Sequence, residues 1–286
     1  MSSLFVLIQY LLPHHFLSRC VGFFAEGSFL KDFLIRSFIR RYGVDMTEAA
    51  ISDPTEYPNF NTFFTRELKA DARPIATGGN AVVSPADGTI NALGTIQRDQ
   101  ILQAKNRNYD LLELLAGDHD LAEEFLDGSF VTVYLSPRDY HRVHMPIAGQ
   151  LLKTIHVPGR LFSVNKVTTA SVPNLFARNE RAICVFQTSI GIVCVVLVGA
   201  MIVAGIETVW GGQICPSIGP RQIKVSDHSN HEPPIQLISG AEMGRFKLGS
   251  TAIVLFPPGT LEIDQNLKAD SSIRMGQMLG TLKQSS

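Results

Sequence analysis

Residues 246–256 read Phe246-Lys247-Leu248-Gly249-Ser250-Thr251-Ala252-Ile253-Val254-Leu255-Phe256, and the half after Ser250 decides the fold. Ala252 to Phe256 is a β-branched and aromatic run stopped by Pro257-Pro258-Gly259, so it reads as a buried strand. The preceding segment, Gly240 to Arg245, holds two glycines and reads as a loop. Gly249-Ser250 therefore falls at a loop-to-strand junction, where it has a specific chemistry. A serine hydroxyl can attack the carbonyl of the residue before it, and a glycine there has no Cβ to block the approach. The peptide becomes an ester. Loss of the Ser250 Cα proton then expels the Gly249 carboxylate and leaves dehydroalanine, which hydrolyses to a pyruvoyl group. A Gly-Ser pair alone marks only a turn, so the rest of the chain has to decide.

Four other blocks bear on the question. They are Ser84-Pro85-Ala86-Asp87-Gly88, the run Ser136-Pro137-Arg138-Asp139-Tyr140-His141-Arg142-Val143-His144-Met145-Pro146, the run from Asn174 to Arg181, and Glu207-Thr208-Val209-Trp210. Together with Glu242 to Thr251 they make the chain resemble phosphatidylserine decarboxylase proproteins of the bacterial membrane-associated type, over nearly its whole length. The resemblance implies self-cleavage between Gly249 and Ser250 into a large β chain, 1–249, and a small α chain, 250–286, that stay associated. It implies a carboxy-lyase of phospholipid biosynthesis that turns phosphatidylserine into phosphatidylethanolamine and CO₂. The pyruvoyl ketone made from Ser250 would form a Schiff base with the substrate amine and accept the carbanion electrons, the role pyridoxal phosphate fills elsewhere. Neither pyridoxal phosphate nor a metal is implied.

Self-cleavage needs a nucleophile, a base and a group that holds the base in the right tautomer. The resemblance assigns these to Ser250, His144 and Asp87. Asp87 stands in a turn between two strand-like runs and His144 lies just past another, which suits a cleft. His141 is assigned to decarboxylation after maturation, and His141 or His144 to reprotonation of the product carbon. His141-x-x-His144 has the look of a metal pair, yet no third ligand stands at a suitable spacing. Arg142, Arg178 and Arg181 are the donors on offer to a phosphodiester, and each serves equally as a structural arginine. His14, His15, His228 and His231 receive no role.

The 286 residues, 45% apolar, suffice for one large domain or two small ones. A net charge of −1 gives no case for nucleic acid. Cys20, Cys184, Cys194 and Cys215 show no CxxC or zinc spacing and read as buried free thiols of a reducing compartment. No basic segment precedes the first apolar stretch and no small-residue cleavage site follows it, so no cleavable signal is expected. Leu4 to Leu12 is too short to span a bilayer. Phe29, Leu30, Phe33, Leu34, Ile35, Phe38 and Ile39 recur at helical spacing among Lys31, Arg36, Arg40 and Arg41. That pattern suits a helix lying in a membrane interface, or one packed on its own domain. With a lipid substrate implied, the first is expected: a peripheral protein on the cytoplasmic face of the cell membrane.

Residues 182–206 run without a charge. Gly191, Gly199 and Gly205 punctuate them at strand-length intervals, so buried strands explain the run better than one spanning helix. Residues 216–234 read as an exposed loop. The expectation is an α+β chain: a helical membrane-associating region, 1–58, then a β-rich, mostly antiparallel, sandwich- or barrel-like catalytic domain, 59–286. The sequence is compatible with a homo-oligomer. Two rival readings fare worse. A serine hydrolase lacks its G-x-S-x-G turn here, and Ser250 opens a strand rather than a helix. A lipoyl- or biotin-carrier module would show a lysine at a hairpin tip, and none is evident.

Overall fold

The computed structural model describes residues 7, 9–10, 12–104, 107–201, 205–215, 221–247 and 250–283, with only the backbone of Ser250. Leu248 and Gly249, which carry half of the expected cleavage site, lie outside the described residues, as does most of Leu4 to Leu12.

In chain order the first strands are β1 (Ala81–Val83), β2 (Gly88–Thr95), β3 (Gln100–Ala104), β4 (Arg107–Asp110), β5 (Ser129–Leu135) and β6 (Arg142–His144). Next come β7 (Gly149–Val157), β8 (Arg181–Thr188), β9 (Gly191–Gly199), β10 (Gly205–Thr208), β11 (Gly212–Cys215) and β12 (Lys224–Asp227). The last are β13 (Gln236–Leu237), β14 (Glu242–Lys247), β15 (Ser250–Phe256), β16 (Leu261–Ile263), β17 (Ser272–Ile273) and β18 (Met278–Leu282). All pairings between these strands are antiparallel. The main sheet runs β12-β7-β8-β9-β15-β5-β2-β17, with β13 also on β7; smaller sheets run β11-β10-β14-β6 and β1-β18-β16.

Among the described residues β12 and β17 do not meet, so the main sheet is open, and the barrel-like expectation gives way to layers. The reason lies in the side chains. Along β9, Cys194, Val196 and Val198 face a core shared with the helical residues Leu111, Leu114 and Phe176. Val193, Val195 and Leu197 face a core shared with Val143, Met243 and Phe246 of the second sheet and Leu279 of the third. A strand covered on both faces has no polar side to alternate, which is why 182–206 mimics a membrane span. It is β8, β9 and the start of β10. No helix among the described residues is long and apolar enough to cross a membrane.

Two segments expected as loops are strands. Glu242–Lys247 forms β14 between β10 and β6, and its glycine has a local cause: a Cβ on Gly244 would collide with the Glu207 carbonyl of β10. Lys224–Asp227 forms edge strand β12, whose four side chains are all exposed and so leave no apolar alternation to read.

The N-terminal region is helical, with α1 at His14–Glu26 and α2 at Lys31–Tyr42. Asn59 caps α3 (Phe60–Phe64) by accepting from Thr62 N–H at 2.8 Å. The inward side of α2 is not the one its spacing suggested. Ile35 is fully buried and Phe38 meets Phe60, Phe63 and Phe64 at ring distances of 5.1, 6.1 and 5.8 Å. Leu34 packs on the same cluster, so neither it nor Phe38 belongs to an outward apolar face. This cluster also takes in Tyr57, so packing runs straight across residue 58. What stays exposed is a patch from both helices and their link, including Phe23 (77%), Phe24 (67%), Phe29 (83%) and Phe33 (67%).

Candidate active site

The distant blocks meet through backbone hydrogen bonds. His144 N–H donates to the Pro85 carbonyl at 2.7 Å and Val83 N–H to the Pro146 carbonyl at 2.9 Å. These bonds tie the Ser84–Gly88 turn to β6. On the other side of β6, β14 pairs Glu242 with His144 and Arg245 with Arg142, and Phe246 N–H donates to the His141 carbonyl. β14 then feeds residues 248–249 into β15. Ser250 opens β15 in the interior of the main sheet, paired to Leu135 on one side and Gly199 on the other. The Asp87 turn opens β2, which flanks β5 on its far side. Two strand spacings separate the two openings, roughly 9–10 Å. Only glycine fits after Asp87, because a Cβ on Gly88 would collide with the Tyr134 carbonyl.

His144 is 8% exposed and both of its ring nitrogens are engaged. Nδ1 lies 2.8 Å from the Gly240 carbonyl and Nε2 3.1 Å from the Tyr140 hydroxyl. A carbonyl only accepts, so Nδ1 carries the proton and Nε2 is the basic atom, receiving the phenol O–H. Burial lowers its pKa and keeps the ring neutral.

Asp87 does not touch His144, contrary to its expected place as the orienting acceptor. Its carboxylate takes Arg73 Nε–H at 2.8 and 3.0 Å, Arg73 Nη2–H at 2.5 Å and the Met275 N–H at 2.8 Å. Arg73 also reaches Glu48, at 2.8 Å. The tautomer of His144 is set instead by Gly240.

His141 is fully buried, with its ring centre 3.9 Å from that of Phe64. Nδ1–H donates to the Asp139 carbonyl at 2.8 Å, and Nε2 has no partner among the described residues. Burial, reinforced by the Arg66 charge, pushes this imidazole down to about 3. It is therefore a neutral ring with one free lone pair.

The three arginines offered to a phosphodiester are otherwise occupied. Arg142 donates to the Thr65 carbonyl and pairs with Glu67 and Glu242. Arg181 donates to four backbone carbonyls, those of Leu114, Ala177, Asn179 and Glu113. Arg178 lies over the rings of Tyr10 and Phe162. Tyr140, Arg73 and Gly240 went unread in the sequence. Tyr140 sits inside a quoted motif four residues before His144, but nothing in that spacing says its hydroxyl returns to the ring. A further trio was also missed: His156, Glu180 and Cys215 bring three donor atoms within 4.8 Å of one another. His156 and Cys215 lie on separate strands and Glu180 just precedes a third, so no local spacing announces them.

The fold and site define an enzyme of the β-rich kind, with a centre assembled from distant blocks around the first residue of an interior strand. A family model described as phosphatidylserine decarboxylase matches residues 60–281, and a second, described as PSD, matches residues 4–43. The chain is 55% identical to a phosphatidylserine decarboxylase proenzyme of Pseudomonas aeruginosa (strain LESB58), over 99% of each chain. It is 53% identical to proenzymes of the same name from Alcanivorax borkumensis, over 98% of this chain and 96% of that one, and Saccharophagus degradans, over 99% and 98%. The chain belongs to the phosphatidylserine decarboxylase family.

Proposed function

We propose that this chain is a proenzyme that cuts itself between Gly249 and Ser250 and then converts phosphatidylserine to phosphatidylethanolamine and CO₂. The observation that carries the reading is the place of Ser250 at the head of β15, reached from a strand that runs beside His141 and His144. A pyruvoyl group made from Ser250 would supply the electron sink that an amino-acid carboxylate needs in order to leave as CO₂. The residues around it suit such a group, since His141 Nε2 is a buried acceptor that nothing else among the described residues satisfies.

In this reading His144 takes the Ser250 proton through Nε2, with the Tyr140 hydroxyl moving aside or following. Asp87 acts on His144 indirectly. It anchors the Ser84–Gly88 turn to Arg73 and Met275, and that turn holds the His144 backbone through Pro85. After the cut, His141 is the group that passes a proton to the carbon that CO₂ leaves.

Intact mass of the purified chain tests the reading, with two pieces expected, 1–249 and 250–286, the smaller beginning with a pyruvoyl group. His144→Ala should accumulate uncut chain, since general-base help is worth ~10²–10⁴-fold. Asp87→Asn should cut more slowly than the parent. Cutting of the His144 variant at the parental rate would remove His144 from this role.

The same reading puts the protein on the cytoplasmic face of the membrane, held by the exposed patch around Phe29 and Phe33 with Arg40 and Arg41 beside it. Each inserted phenylalanine is worth about 2 kcal/mol. Phe29→Ser with Phe33→Ser should therefore weaken vesicle binding roughly a thousandfold at any ionic strength. Arg40→Gln with Arg41→Gln should weaken it only at low salt on anionic vesicles. Undiminished vesicle binding by the double serine variant would move the lipid contact elsewhere.

A further inference from the structure

Away from His141 and His144, the side of α1 that faces the main sheet borders a cavity of about 270 Å³, lined among others by His15, Glu180 and Cys215. Glu180 is 5% exposed, Cys215 3% and, behind them, His156 4%. The donor atoms of His156, Glu180 and Cys215 all lie within 4.8 Å of one another. Four features of this cluster point to a cation.

The first is charge. Among the described residues Glu180 has no lysine or arginine within ion-pair distance; its side chain meets His156 Nε2 at 2.9 Å and His15 Nδ1 at 3.9 Å. A carboxylate this deep is costly unless it is paired. The second is the tautomer of His15. Its Nε2 lies 2.8 Å from the Gly159 carbonyl, which only accepts, so Nε2 carries the proton and Nδ1 presents a lone pair toward Glu180. In the neutral ring two electron-rich atoms thus face each other across 3.9 Å, as they would on either side of a cation. A carbonyl holding the far nitrogen of an imidazole is also the outer support that metal-binding histidines use. The third is His156, whose Nδ1 is buried and has no hydrogen-bond partner among the described residues. The fourth is Cys215, a buried free thiol whose sulfur stands in the same cluster.

We infer that His156, Glu180, Cys215 and His15 form a binding site for a zinc-class divalent ion. Two nitrogens, one oxygen and one sulfur are a borderline-soft set suited to tetrahedral zinc. The charges balance: a thiolate and a carboxylate neutralise the dication. On binding, the Cys215 thiol proton leaves to solvent, and the neutral His156 ring keeps its one proton on the nitrogen that does not hold the ion. Binding therefore strengthens as pH rises. The ion has no part in decarboxylation as proposed above. Its role is mechanical, since His15 belongs to α1 while the other ligands belong to strands or their edges, so the ion staples the exposed helix to the body.

The test uses the full-length chain stripped with a chelator and titrated with Co²⁺ alone, then with Zn²⁺. One equivalent of Co²⁺ should bind with thiolate-to-cobalt charge-transfer absorption, and Zn²⁺ should abolish that absorption by displacement. Cys215→Ser should lose the absorption and more than roughly a hundredfold in affinity, while Cys184→Ser, at another buried thiol, should keep both. His15→Gln alters a half-buried helix residue that the core does not depend on. It should keep the sulfur absorption, bind about ten- to a hundredfold more weakly, and expose α1 to faster proteolysis in the presence of Zn²⁺. No stoichiometric binding by the parent chain, or absorption that survives Cys215→Ser, would overturn the site. Neither readout depends on self-cleavage or on lipid turnover.

Discussion

Ser250→Ala should give a folded chain of full length that never splits and releases no CO₂ from phosphatidylserine. The substitution leaves the backbone pairing of residue 250 to Leu135 and Gly199 untouched, so β15 forms as before. The lost hydroxyl is both the nucleophile of the cut and the source of the ketone, so two functions vanish with one oxygen. Activity should fall to the uncatalysed background, on the order of 10⁶-fold or more. Mass spectrometry reads the first loss and CO₂ release from a short-chain phosphatidylserine reads the second. Fragments of 1–249 and 250–286 from this variant would end the central claim.

The second large effect is expected at His141, and it should separate the two reactions. His141→Asn keeps a donor for the Asp139 carbonyl but has nothing where Nε2 stood. Its cutting should remain near the parental rate while phosphatidylserine turnover drops by ~10²–10⁴-fold, the usual worth of a positioned acid–base group. His141→Ala should do the same with lower stability, because the ring packs on Phe64 inside the core. The pH profile adds a signed check. Burial holds this imidazole down to about 3, so in the free enzyme it stays a base across pH 5–8 and should give no inflection near its ordinary value. An uncut His141→Asn chain would merge the two histidines into one role.

How much of this was legible beforehand differs by element. The strands around Ser250 were readable because covered β-structure writes itself as short apolar runs cut by glycine, and β8, β9 and β15 follow that rule. β12 was not, because an edge strand with four exposed side chains has no pattern to display. The helical period of α2 was clear, but period does not say which neighbour waits on which side. Phe38 turned inward because α3 brings three phenylalanines to meet it. At the site the motif residues could be read from the sequence and their bonds could not. Asp87 was expected on His144, yet an arginine fourteen positions earlier has taken its carboxylate, and a plain backbone carbonyl does the orienting. Motifs name participants, and only the fold decides which of them touch.

β15 lies between β9 and β5, β18 lies between β1 and β16, and β17 lies on β2, so residues 250–283 thread through two of the sheets. Once cut ahead of Ser250, the protein is two polymers sharing one fold, and the smaller cannot leave without dismantling the larger. Folding of the intact chain is a first-order event in which the last strands find their slots because they are tethered to them. After the cut that tether is gone. Any later unfolding releases two molecules, and their reunion becomes a second-order search governed by dilution. The peptide bond that once made the search local has no route back. Such a molecule is built once, and the cut turns its assembly into a ratchet.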